Sequence, residues 1–234
     1  MHIAVLVTNT DQSAFAARHP RDAEKFTVLL KGVRPGWQVT TFEVTENVFP
    51  ASLDGFDGLL IGGSPASVND ENHWIERLSD LIRSAYADGV PMMGVCFGHQ
   101  AIAQALGGEV GPNPGPFVLG TSETRFTTSA PWMSGDAERI TLAAAHGEQV
   151  TTLPPGAEAL GESAGCKVAA YRIGTSVFAT QHHPEMTPGF LAALVEEFAP
   201  EFTPDVGDRA RASLAQTPEG PRFAEWIARF FEQA

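Results

Sequence analysis

The first hundred residues alternate two kinds of segment, and that alternation narrows the fold more than any other feature of the chain. HIAVLV (2–7), FDGLLIGG (56–63) and PMMGV (91–95) are short apolar runs, the pattern of strands covered on both faces. WQVTTFEV (37–44) alternates as a strand does. Between them, DAEKFTVLLKGV (22–33) places Phe26, Leu29, Leu30 and Val33 at helical spacing and stops before Pro35-Gly36. NHWIERLSDLIRSAYADG is the clearest helix, with Trp74, Ile75, Leu78, Leu81, Ile82 and Ala85 on the 3.6 period and Gly89 as a stop. AIAQALGG (101–108) reads as another helix. The order β-α-β-β-α-β-α predicts an α/β fold, a three-layer, doubly wound, mainly parallel sheet with helices on both faces.

The second half changes character. Residues 117–128, 139–145, 158–163 and 167–181 read as extra short strands separated by Pro and Gly turns. TPGFLAALVEEF then reads as a helix with a threonine cap and Pro at its first turn. Two more helices, broken at TPEGP, are expected from about 204 to 232. The expected organisation is one domain over 1–200, with 201–234 as a helical extension packed on it.

The chain has two cysteines among 234 residues, which gives neither a disulfide framework nor a C-x-x-C metal pair and fits a reducing compartment. MHIAVLVTNTDQS has too short an apolar run for a signal sequence, and no stretch approaches the length of a membrane span. A cytoplasmic protein without a membrane partner is expected. The net charge of −13 argues against nucleic acid, which needs a positive footprint.

One cysteine sits in a frame that a core residue would not need. In GVCFGHQ (94–100), Cys96 lies where a buried strand turns at once into a helix, with Gly94 and Gly98 two residues to either side. Such a turn crowds its own backbone, and the glycines remove the side chains that would clash. This is the G-x-nucleophile-x-G elbow with Cys in place of Ser. It lifts the sulfur to a helix N-terminus, where unpaired N–H groups and the dipole favour an anion. Without the glycines, a buried structural cysteine would be the simpler reading.

A cysteine nucleophile needs a base and the base needs an orienting group. Of the seven histidines, the best placed follow VFATQ, a short apolar strand, in HHPE. Pro184 holds His183 extended, and in an extended chain residues i and i+2 share a side. His183 and Glu185 can therefore face one way, giving a Cys96, His183, Glu185 triad. Adjacent His182 and His183 point to opposite sides, and no second cluster has zinc-like spacing, so no metal is expected. The N–H of Phe97 is the elbow's expected oxyanion donor, and a second donor could come from the glycine-rich turn IGGSP if its strand neighbours the elbow strand. No G-x-x-x-x-G-K-[ST] or G-x-G-x-x-G turn is present, so no cofactor is expected.

GVCFGHQ, QHHPE and IGGSP, in this separation, resemble the class I, or triad-type, glutamine amidotransferase domain, over most of the chain up to about residue 200. The resemblance implies a flavodoxin-like fold and specific roles. Cys96 would attack a glutamine side-chain amide to give a γ-glutamyl thioester, His183 would be base and then acid, and Glu185 would orient it. Gly63 and Phe97 would form the oxyanion hole. Gln100 would help hold glutamine, as would Ala145, His146 and Gly147 in AHGEQV, where Ala145 replaces the family's serine. His182 stands where the family has phenylalanine.

Within the family, the stretches SVND, HGEQV and LPPGAE are similar to stand-alone GMP-synthase-like domains, whereas G-S-P and CFGHQ are similar to plant γ-glutamyl peptidases. The resemblance therefore leaves two substrates open. One is glutamine, with the ammonia passed to a synthetase partner. The other is a small γ-glutamyl peptide, cleaved autonomously. A non-enzymatic binding protein on the same scaffold is a third reading, against which the intact triad speaks.

Overall fold

The structure is a computed structural model, described over residues 1–134 and 138–234. Its core is a nine-stranded sheet. The strands β1 (His2–Val7), β2 (Gln38–Glu43), β3 (Gly58–Ile61) and β4 (Met92–Val95) come from the first half. Near its C-terminal end the chain adds β11 (Val177–Thr180) beside β4, and the order β2-β1-β3-β4-β11 is parallel throughout. The residues of β3, β4 and β11 are all buried, which explains runs without polar alternation.

Helices α1 (Asp22–Val33) and α2 (His73–Ala87) fall within the expected segments, and α3 (Phe97–Ala105) begins earlier than the expected 101–108, directly after Cys96. Alternate residues of β1 separate the two faces. Ile3, Val5 and Val7 pack with Phe26 and Leu30 of α1 and with Phe223, Trp226, Ile227 and Phe230 of the final helix, α6 (Gly220–Gln233). Ala4 and Leu6 pack with Trp74, Ile75, Leu78 and Ile82 of α2 and Ile102 of α3. The result is the expected three layers. Among the described residues no helix is long and apolar enough to cross a membrane.

The second half extends the same sheet. Strands β10 (Cys166–Ile173), β9 (Ala157–Ser163), β6 (Val118–Phe126) and β7 (Arg139–His146) follow β11 in antiparallel order. The stretch 167–181 is thus two strands joined at Gly174, whose φ of 53° suits a tight turn. Two short strands, β5 (Glu109–Pro112) and β8 (Glu148–Thr152), form a separate two-stranded sheet among the described residues and were not expected. An isolated bridge between Ala143 of β7 and His183 returns the far margin of this wing to the segment that follows β11. Helix α4 (Pro188–Phe198) is capped by Thr187, whose side chain accepts the Phe190 N–H. It shares an apolar cluster with α5 (Pro204–Ser213), through Leu191, Val195 and Ala210, against Leu119 and Ala143 of the wing.

Candidate active site

The C-terminal ends of β3, β4 and β11 lie side by side, with Ile61 opposite Gly94 and Gly94 opposite Ala179. Whatever follows these strands converges, as at the ligand-binding edge of open α/β sheets. Cys96 follows β4 with φ 51° and ψ −103°, a conformation a residue with a Cβ adopts at a cost of roughly 1–3 kcal/mol. The flanking glycines are required by close approach. A Cβ on Gly98 would collide with the Ile61 carbonyl, and one on Gly94 would lie 2.7 Å from the Gly98 oxygen. The Cys96 N–H donates to Thr180 O at 2.9 Å, locking the elbow to β11.

The Cys96 Sγ lies 4.0 Å from Ala145 O and accepts a hydrogen bond from Gln181 Nε2 at 3.6 Å. His183 feels the charge of Cys96, and its Nδ1 lies 2.7 Å from Glu185 Oε1. Both residues of that pair are buried, and Glu185 Oε2 has no partner among the described residues. Burial alone would push the His183 imidazole down. The charges of Glu185 and Cys96, with the hydrogen bond to Glu185, outweigh it and hold His183 well above the ordinary histidine range. An imidazole in this setting favours its protonated form.

The glycine turn after β3 runs along this pair. A Cβ on Gly63 would fall 2.7 Å from His183 Cε1 and 3.6 Å from Cys96 Cβ. Thr8 Oγ1 donates to Gly63 O at 2.9 Å, and the Gly98 N–H donates to Gly62 O at 2.9 Å, so the turn is tied to the elbow. Phe97 opens α3, where a first-turn N–H has no acceptor within its own helix.

Gln100 is buried, and its Nε2 donates to Glu148 O at 3.0 Å and Gln181 Oε1 at 3.1 Å. Because Gln181 Oε1 accepts from Gln100, its amide nitrogen is the end that faces the sulfur. His146 Nδ1 donates to Glu148 O at 3.1 Å, while burial pushes this histidine down to about 4. It is thus neutral near pH 7, and its buried Nε2, without a partner among the described residues, is left as an acceptor. Asn113 holds the same loop, its N–H donating to Gly147 O at 2.8 Å and its Nδ2 to His146 O at 2.9 Å. Gly147 is exposed and Ala145 half-buried.

His182 turns to the wing. It is fully buried, with Nδ1 3.0 Å from Thr124 Oγ1 and Nε2 3.4 Å from Ser163 Oγ. Burial, with the neighbouring histidines, pushes it well below its usual range. Cys166 opens β10 directly after the turn at Gly165, and is fully buried, its thiol pushed up to about 12 by that burial. Sequence reasoning missed Gln181 and Asn113. Gln181 had a signal, as the first residue of QHHPE; Asn113, in a Pro- and Gly-rich stretch, had none. Among the described residues no group of three His, Cys, Asp or Glu side chains is arranged to hold a metal ion.

Residues 22–199 match the family model described as "Glutamine amidotransferase class-I". A γ-glutamyl peptidase 3 of Arabidopsis thaliana is 29% identical over 169 residues, 69% of this chain and 68% of that one. A GMP synthase [glutamine-hydrolyzing] subunit of Archaeoglobus fulgidus is 34% identical over 148 residues, covering 62% of this chain and 75% of the relative. The matched stretch is as little as 24% of a relative's own length where that relative is a larger GMP synthase. A crystal structure of a glutamine amidotransferase from Methylobacillus flagellatus superposes with a TM-score of 0.72 at 24% identity, over 98% of this chain and 93% of that one.

Proposed function

Because the chain belongs to the class I glutamine amidotransferase family, we propose that it hydrolyses a γ-glutamyl C–N bond through Cys96, His183 and Glu185, with glutamine as the simplest substrate. The observation that carries this reading is His183 with its Nδ1 2.7 Å from Glu185 Oε1 and its ring against the same Gly63 turn that borders Cys96. Proton transfer, attack and leaving-group protonation then need no rearrangement of the base.

The Cys96 sulfur attacks the γ-carbonyl carbon, its proton having passed to His183. A C–S bond forms and the carbonyl oxygen becomes an oxyanion, facing the N–H groups of Gly63 and Phe97. Collapse breaks the C–N bond, and the departing amine takes the proton from His183. Water then attacks the thioester and gives a proton to His183. The C–S bond breaks, and glutamate leaves with Cys96 restored. Glu185 keeps the imidazole oriented and balances its charge throughout. Gln181 donates to the sulfur, and Gln100, Ala145, His146 and Gly147 are the proposed walls of the γ-glutamyl pocket, with His146 Nε2 a free acceptor for the substrate's ammonium.

The likeness to a γ-glutamyl peptidase supports a second reading, in which the leaving group is a peptide or other larger amine. The likeness to the glutamine-hydrolyzing GMP synthase of Archaeoglobus fulgidus supports the first, in which the ammonia passes to a synthetase. Purified protein incubated with glutamine, and in parallel with γ-glutamyl dipeptides and glutathione, separates them by release of ammonia or free amine. Glutamine turnover without peptide cleavage is expected of the first reading and peptide turnover without glutaminase of the second. Silence on every substrate, with Cys96 still alkylated, would overturn both in favour of a binding role.

A further inference from the structure

The outer edge of β7 presents three alternate residues, and each holds something different. Ala145 O faces the Cys96 sulfur, Ala143 O accepts the His183 N–H at 2.8 Å, and Thr141 is bound on both its backbone groups by Glu219. Glu219 N–H donates to Thr141 O at 2.7 Å, and Thr141 N–H donates to Glu219 Oε2 at 2.9 Å. Residues two apart along a strand share an edge and lie about 6.6–6.8 Å from each other. Nucleophile, base and Glu219 are thus lined up at successive stations of one strand edge. Next to Glu219, Gly220 presses on the catalytic segment itself, since a Cβ there would collide with the carbonyl of Pro184, the residue between His183 and Glu185. Arg222 Nη1 fixes the other Glu219 oxygen at 2.9 Å and also donates to Arg139 O of β7 at 3.2 Å.

We infer that Glu219 and Gly220, which lie outside the stretch matched by the family model, are positioning residues that seat the His183–Pro184–Glu185 segment against β7. The inference rests on the triad proposed above. Glu219 occupies the edge position beside Ala143, so β7 cannot slide or fray there, and Gly220 backs the Pro184 carbonyl so that the segment cannot retreat from Cys96. Both act on placement of the imidazole and not on substrate contacts. Their loss should therefore lower kcat with little change in KM.

The test uses the full chain with Gly220→Ala, Glu219→Ala and Glu219→Gln, the last keeping one oxygen able to accept from Thr141. Two readouts that need no substrate come first. These are the rate of Cys96 carbamidomethylation by iodoacetamide and the downfield proton resonance of the His183 Nδ1–H facing Glu185. Glu219→Ala and Gly220→Ala should shift or broaden that resonance and slow alkylation severalfold, and on whichever substrate the wild type turns over they should lower kcat by about tenfold or more at near-constant KM. Glu219→Gln should recover most of both. Should Gly220→Ala fail to fold, the Glu219 pair decides alone. A wild-type resonance, alkylation rate and kcat in folded Glu219→Ala, or equal losses in Glu219→Ala and Glu219→Gln, would overturn the inference. Because the first two readouts do not depend on turnover, a wrong substrate assignment leaves the outcome readable.

Discussion

At the scale of the residue, the two cysteines are chemically opposite although both are buried. Cys96 is 5% exposed at a helix N-terminus and accepts a hydrogen bond from Gln181, while Cys166 is fully enclosed and its thiol is pushed up to about 12. The thiolate is the reacting species. Iodoacetamide at neutral pH should label Cys96 in the folded protein, and peptide mapping should find Cys166 unmodified until the chain is denatured. The paired histidines divide in the same way. His183→Ala removes the proposed proton shuttle and should cost roughly 10²–10⁴-fold in turnover. His182→Phe should keep most activity, but it leaves the buried Thr124 hydroxyl without its partner at 3.0 Å. Chemical denaturation should therefore show a loss of about 1–3 kcal/mol in that variant. Equal activity losses in the two would contradict the division. Gln181→Leu removes a donor to the sulfur while keeping similar bulk, and steady-state kinetics should show about a tenfold fall in kcat, on the smaller side of losses for a single charge-facing donor.

At the scale of the element, the elbow is an arrangement of backbones before it is one of side chains. Gly98 brings α3 against the Ile61 carbonyl, and the tie from its N–H to Gly62 O fixes the glycine turn of β3 beside Cys96. Gly98→Ala should separate α3 from β3, lower the thermal midpoint by an amount equivalent to about 1–3 kcal/mol or more, and reduce activity even where folding is retained. This frame was legible in the sequence because crowding leaves a mark, glycines at fixed offsets from one cysteine. The buried parallel strands were legible for a similar reason, since HIAVLV and VFAT must be apolar on both faces. The pairing of β5 with β8 was not. EVGP and EQVTT are short and half-exposed, and each finds its partner far along the chain. Nor could spacing reveal that Gln181 points its amide at the sulfur, because that depends on Gln100 claiming the other end. The hydroxyl partners of His182 come from β6 and from the end of β9, a meeting that only the curl of the wing produces.

At the scale of the whole molecule, buried imidazoles link the site to stability. Burial lowers His99 to about 3 and His146 to about 4, and lowers His182 as well. Between the unfolded value near 6.5 and these folded values, the unfolded chain binds more protons, so stability falls as pH falls. His183 runs the other way. Its folded value is raised, so its contribution is complete below about 6.5 and is lost as pH rises through the folded value. Below about 6.5 both states already hold that proton and His183 adds no slope. The thermal midpoint should therefore peak around neutrality and decline by several degrees towards pH 4. A midpoint unchanged from pH 7 to 4 would show that these histidines are not neutral in the folded chain. The arrangement of the sheet has a separate consequence for self-association. With Thr141 and Ala143 already claimed by Glu219 and His183, the β7 margin offers little main chain to a neighbouring molecule. The opposite margin, β2, has no fully buried residue and, among the described residues, no strand beyond it. Edge-to-edge joining of two copies would therefore run through β2, three strands removed from β4, and would leave the guarded margin of each copy untouched.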